Sequence, residues 1–293
     1  MTPRLEEIRE QLLPRLRAWG RHGIHIGLSP RAPAGWKTVL DPAQDGSIRT
    51  YAGLFDTALL HAAPWHFPDA ATLAQWRRET PEEFGWTAVL GDEHMMYRFP
   101  HGHPERNKRG ALNPRFLDPH GVATAVAPLL QHLGPRLRTL VLRIGPVYRT
   151  EALRFGGFHD ALVRCLDALP AGCRYAVETA NPDFVLPAYR ESLRQRNVAH
   201  VLAGPPLLDA IGMPGALSAD VCVLRSACLA AEEEGDEWLG VRETIRRSLE
   251  EGKILCAYLG GEPDGGDPGR LVRLLAGLDG ELARRSPIRR KAA

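Results

Sequence analysis

Glu178 closes an apolar stretch, Arg174-Tyr175-Ala176-Val177-Glu178, before Asn181-Pro182-Asp183 turns toward a helix. A carboxylate at the end of an apolar strand requires a ligand or a charged partner once water is withdrawn. Two further apolar stretches end in arginine, Thr139-Leu140-Val141-Leu142-Arg143 and Val221-Cys222-Val223-Leu224-Arg225. Paired with either guanidinium, Glu178 would make a charge-assisted bond. Two arginines at one rim also suit a phosphate or carboxylate, because the planar guanidinium fork matches such oxygens better than an ammonium does. The chemistry expected here is a small anionic ligand clamped by Arg143 and Arg225, with His61, Tyr258 and Trp65 as further contacts. Glu178 would be the acid or base of a catalytic site. Alternatively, the three charges close on one another in a binding or interaction protein without catalysis.

Other chemistries are less well served. Glu178 is the only acidic residue at a strand end, so the paired carboxylates of a glycosidase are missing. Nothing resembles a nucleophile elbow or a phosphate loop. A metal reading would gather His61, His66, Asp92, Glu93, His94 and Glu178, yet no HxH or HExxH pattern lies on a strand or helix. The expectation is no metal and no cofactor.

Residues on separate strands converge only if those strands lie side by side and point the same way. The sequence predicts that arrangement. From Gly23 onward, apolar strands alternate with helices: His25–Leu28, Ala58–His61, Trp86–Leu90, Thr139–Ile144, Tyr175–Glu178, Ala199–Ala203, Val221–Arg225 and Ile254–Leu259. Eight such strands over 293 residues suggest an α/β chain forming a (β/α)8 TIM-barrel-like domain, for which about 250 residues is typical. Leu5, Ile8, Leu12, Leu13, Leu16 and Trp19 recur at helical spacing before the first strand, so an extra N-terminal helix is expected. The domain reading is residues 1–22 as a helical extension, 23–284 as a single barrel and 285–293 as a basic tail. Ser47, Asp69 and Asp118 read as helix caps. One long insertion, Gly91 to Asp118, holds His94, His101 and His103 among five basic residues. Following the third strand, it should emerge at the same end as Glu178.

A formal net charge of +2 offers no electrostatic case for nucleic acid or an anionic membrane. Tyr97 and Phe99 in the insertion could stack on bases, but a solvated loop explains the same charges, so nucleic acid is not the expected partner. Five cysteines without a CxxC pair, no signal peptide and no long apolar run point to a reducing cytoplasm. The oligomeric state stays open.

Motif spacing adds a resemblance. Tyr51-Ala52 with Phe55, then Trp65, Pro68, Trp76, Thr80-Pro81 and Phe84-Gly85-Trp86 follow in order; Tyr175-Ala176-Val177-Glu178 with Pro182 and Phe184 forms a second anchor, and Arg225 a third. Over roughly Gly23 to Leu275 this resembles the YecE-like proteins, a bacterial family of TIM-barrel-like domains of unknown function. The departures concern the polar rim. Where that family carries Glu, Asn and Thr on the second strand, this chain has Leu59, His61 and Ala63. The family's strand-three lysine falls at Val89, its Gln on strand four at Arg143, and its Arg after the strand-five Glu at Ala180. Its His-Gly becomes Ala227-Cys228, and its Asn-Asn becomes Gly260-Gly261. Of that rim, the resemblance retains Glu178 and Arg225.

Overall fold

The computed structural model describes residues 5–29, 36, 39, 47–61, 68–90, 92–147, 157–204, 207–213, 216–230, 235–260 and 266–284. Strands and helices alternate as the sequence predicts. The first half runs α1 (Leu5–Arg21), β1 (Ile24–Ser29), α2 (Ile48–Ala52), β2 (Thr57–His61), α3 (Ala70–Glu79), β3 (Gly85–Leu90), α4 (Asp92–Met95), α5 (Pro119–Leu133) and β4 (Leu137–Ile144). The second half runs α6 (Phe158–Asp167), β5 (Arg174–Thr179), α7 (Pro187–Gln195), β6 (Ala199–His200), β7 (Leu202–Ala203), α8 (Leu207–Gly212), β8 (Val221–Ser226), α9 (Asp236–Glu250), β9 (Ile254–Gly260), α10 (Pro268–Ala276) and α11 (Asp279–Ala283).

All strand pairings are parallel, in two sheets ordered β1-β9-β8-β7 and β2-β3-β4-β5-β6. The stave expected over Ala199–Ala203 divides. β6 pairs with β5 and β7 pairs with β8, while the Val201 amide between them donates to the Val177 carbonyl at 2.9 Å. The sheets thus meet in one short segment.

Among the described residues backbone pairing does not complete a ring, since β1 and β2 share no ladder. A side chain stands in that seam instead. The Tyr51 hydroxyl accepts from the Leu28 amide at 3.0 Å and donates to the Thr57 carbonyl at 3.0 Å. Gly27 faces the same seam, where a Cβ would lie 2.7 Å from the Thr57 carbonyl oxygen and 2.9 Å from the Tyr51 hydroxyl. A side chain there would push the strands apart.

Alternation along the strands produces two buried faces, as expected for parallel strands covered on both sides. Leu60, Ala88, Leu90, Leu140, Leu142, Val177, Leu224 and Leu259 pack with the helices in the main core. Leu59, Val89, Val141, Ala176, Ala199, Val221, Val223, Cys256 and Tyr258 form a second cluster drawn from both sheets. Ile8, Leu12, Leu16 and Trp19 of α1 are buried in the main core, so the N-terminal helix is bound through its apolar stripe.

The predicted caps are in place: Ser47, Asp69 and Asp118 each accept a backbone amide at a helix start. Two helical stretches are interrupted. The one expected from Asp183 is a 3-10 turn, Pro182–Phe184, followed by α7 with Pro187 in its first turn, where the missing amide is tolerated. The last helix breaks at Gly277 into α10 and α11. The insertion after β3 is better organised than its composition suggests. It contains α4, a 3-10 turn at Arg106–Lys108 and an antiparallel bridge between Arg98 and Leu112. The Gly145 amide, just past β4, donates to the Met95 carbonyl at 2.9 Å and fastens α4 beside the C-terminal end of β4.

Candidate functional site

The structure brings Arg143, Glu178 and Arg225 together. Arg143 and Glu178 are register partners on β4 and β5. With a period of two, Val141 and Arg143, Ala176 and Glu178, and Val223 and Arg225 project to one face. The apolar members belong to the cluster between the sheets, so the charged members cap it at the C-terminal strand ends. Arg225 Nη1 donates to both Glu178 oxygens, at 2.7 Å to Oε1 and 2.9 Å to Oε2. Arg143 Nε lies 3.6 Å from Glu178 Oε1, an ion pair longer than a hydrogen bond. The Glu178 side chain is 13% exposed and Arg225 20%, but Arg143 is 49% exposed. Arg225 Nε is buried without a hydrogen-bond partner. Two guanidiniums against one carboxylate leave one positive charge, concentrated on the accessible arginine.

Neighbouring residues hold the backbone around these charges. Asn181 receives the Val147 amide on its side-chain oxygen at 2.8 Å and donates to the Val147 carbonyl at 2.7 Å, tying the segment after β4 to the segment after β5. Beyond β8, the Ser226 hydroxyl and Ala227 amide both donate to Glu237 Oε1, at 2.8 and 2.9 Å. Buried Arg270 donates to the Cys228 carbonyl at 3.3 Å and lies 4.8 Å from the Trp238 ring centre. Sequence reasoning missed these supports. Glu237 carried the one readable signal, an acidic residue in the first turn of α9, where carboxylates meet free amides.

Tyr258 departs from its expected role as a ligand contact. It is register partner to Arg225, yet fully buried, with its hydroxyl 2.9 Å from Thr57 Oγ1 at the start of β2. Burial raises its phenol pKa well above the ordinary value. Register places Tyr258 beside Gly27 as well as Arg225, and Thr57 lies across the seam from Gly27, so the ring reaches sideways to β2. His61 closes β2 opposite Val89. Trp65 and His66 lie outside the described residues.

The insertion's histidines are engaged locally. His103 packs edge-on to Phe99, with ring centres 5.0 Å apart, and its Nδ1 accepts the Glu105 amide at 3.0 Å. His94 lies against the start of α5, and burial lowers its pKa, with nearby charges of both signs contributing less. Among the described residues, no group of three His, Cys, Asp or Glu side chains could hold a metal ion, and no helix is long and apolar enough to cross a membrane.

Comparison with known proteins supports the fold and leaves the chemistry open. A DUF72 family protein from Thermotoga maritima superposes with a TM-score of 0.56 at 16% identity, covering 87% of this chain and 99% of that one. A DUF72 family protein from Enterococcus faecalis gives a TM-score of 0.56 at 12% identity, covering 92% of this chain and 99% of that one. No curated protein matches the chain. The model of the family described as protein of unknown function DUF72 matches residues 25–290, nearly the full length of the strand and helix alternation, and the chain therefore belongs to the DUF72 family.

Proposed function

We propose that this protein binds a small anion, a phosphate- or carboxylate-bearing metabolite, at the C-terminal ends of its strands, with Arg143 and Arg225 donating to it. The observation that carries this reading is the uneven pairing of the two arginines. Glu178 is held by Arg225 through both oxygens, while among the described residues half-exposed Arg143 keeps only a 3.6 Å ion pair and the buried Arg225 Nε has no acceptor. An incoming anion would give exposed Arg143 an acceptor at hydrogen-bond distance, and charge-assisted bonds of this kind are about twice as strong as neutral ones. Glu178 then fixes the spacing of the guanidiniums, a role suited to binding without catalysis. As an acid or base it would first have to leave Arg225.

The strands supporting the site are read as a (β/α)8 barrel, in one domain over residues 23–284. Supporting this are the segment shared by both sheets, the cluster drawn from both, and the Tyr51 hydroxyl bridging β1 and β2. Within the DUF72 family the chain is read as YecE-like, with Glu178 and Arg225 kept and a new arginine at position 143.

Melting temperature in phosphate, sulfate and simple carboxylates tests the binding reading, because a ligand of the native state raises apparent stability by mass action. The wild type should gain more than Arg143→Ala and Arg225→Ala. Equal shifts in all three proteins would overturn the proposal. Should a metabolite screen reveal turnover, loss of that turnover in Glu178→Gln with binding retained would favour the acid/base role.

A further inference from the structure

We infer that a second ligand site lies at the opposite end of the strands, where the N-terminal helix builds a cleft for a small monocarboxylate with an apolar body. The cleft measures about 580 Å³, within the range of roughly 300–1,000 Å³ usual for small-molecule sites. Its walls come from α1, from the turn before β2 and from the turn before β3, all at the N-terminal strand ends. Arg143, Glu178 and Arg225 close the other ends, so this site is independent of the anion site proposed above.

The walls divide by chemistry. Leu16, Leu54 and Phe84 contribute apolar surface. Arg17 and Arg21 line the cleft one helical turn apart, both exposed. Like charges at this spacing on a helix repel. Elsewhere in the chain, Arg194, Arg246 and Arg247 find glutamates three or four residues away. Arg17 instead has Leu13 and Pro14 behind it and Arg21 ahead, and neither arginine has a side-chain partner among the described residues. A carboxylate between them would relieve the repulsion.

Two acids border the same space. Asp56 is answered from inside, by His25 Nδ1 at 2.6 Å and Arg138 Nη1 at 3.9 Å. Exposed Glu83 is not, so the rim charges still open to a ligand are two arginines and one glutamate. Their sum of one positive charge selects a monoanion. Gly20 leaves room for the Asp56 carboxylate, since a Cβ there would meet Asp56 Oδ2 at 2.8 Å and displace that side chain from His25.

Octanoate is the probe, titrated calorimetrically into the full chain with octan-1-ol as a neutral control. Octanoate should bind the wild type, and the loss caused by Arg17→Ala/Arg21→Ala should persist when both proteins also carry Arg143→Ala, which removes any contribution from the other end of the strands. The Arg17→Ala/Arg21→Ala protein, altered only at exposed side chains, should bind roughly tenfold or more weakly. Octanol should bind more weakly than octanoate in the wild type and be indifferent to the double substitution. No heat from octanoate in the wild type, equal affinity in the double variant, or equal affinity for octanol would each overturn the inference. A loss that disappears in the Arg143→Ala background would assign the carboxylate to the other end of the strands and overturn it too.

Discussion

Replacing Tyr51 by Phe tests whether a side chain rather than a ladder joins β1 to β2. The ring would be unchanged, stacked on Phe55 at 5.0 Å between centres and edge-on to Phe84 at 6.4 Å, so packing survives and only the hydroxyl is lost. That atom serves two groups, the Leu28 amide and the Thr57 carbonyl, each at 3.0 Å and both in buried surroundings. Gly27 leaves little room for water, because the Thr57 oxygen would lie only 2.7 Å from a Cβ at that position. A buried group stripped of its partner costs about 1–3 kcal/mol, so two should cost about 2–6 kcal/mol. In a protein of this size each kcal/mol moves the melting temperature by about 2 °C, giving an expected fall of about 4–12 °C. Urea denaturation followed by circular dichroism would measure the change, with the denaturant slope expected to stay constant. A loss below about 1 kcal/mol would refute the reasoning, since the seam would then be held by packing alone.

Glu178→Ala strands part-buried Arg225 and should cost about 2–3 kcal/mol in the same assay, whereas removing half-exposed Arg143 should cost less than about 1 kcal/mol; the reverse order would mean that Arg143 is the structural partner. His200 is part-buried with its Nδ1 2.8 Å from the Tyr189 hydroxyl, and desolvation of the ring, with a smaller push from Arg190, lowers its pKa from 6.5 to about 4. The unfolded chain therefore takes up a proton that the folded chain refuses. Stability should be full above pH 6.5 and fall toward pH 4 by on the order of 2–3 kcal/mol, a slope that His200→Gln should flatten. Burial pushes the Cys165 and Cys222 thiols up to about 12 and Cys173 and Cys228 to about 11, so iodoacetamide at mildly alkaline pH should label the folded protein slowly and all five cysteines in urea. Rapid labelling without denaturant would show that these strands open readily.

The sequence by itself determined the alternation of strands and helices, because apolar runs and capping residues act locally. Asp69 and Asp118 announce their helices through a bond to an amide only three residues ahead. It also determined which charges could meet, since Arg143, Glu178 and Arg225 each end a strand and period-two geometry gives each its face. Only tertiary structure decided how they are paired. The preference of Glu178 for Arg225 over its own register partner Arg143 depends on side-chain reach across the space between the sheets. Tyr258 shows the same limit, because its backbone sits beside Arg225 while its ring ends on Thr57. The division of Ala199–Ala203 between two sheets and the hydroxyl in the β1–β2 seam were equally illegible. Both arise from how far apart two strands lie when the whole set is assembled, a distance that no local pattern records. The cleft beside Arg17 and Arg21 belongs with them: the helix was readable from its leucines, but the space beneath it exists only once α1 is set against the turns before β2 and β3.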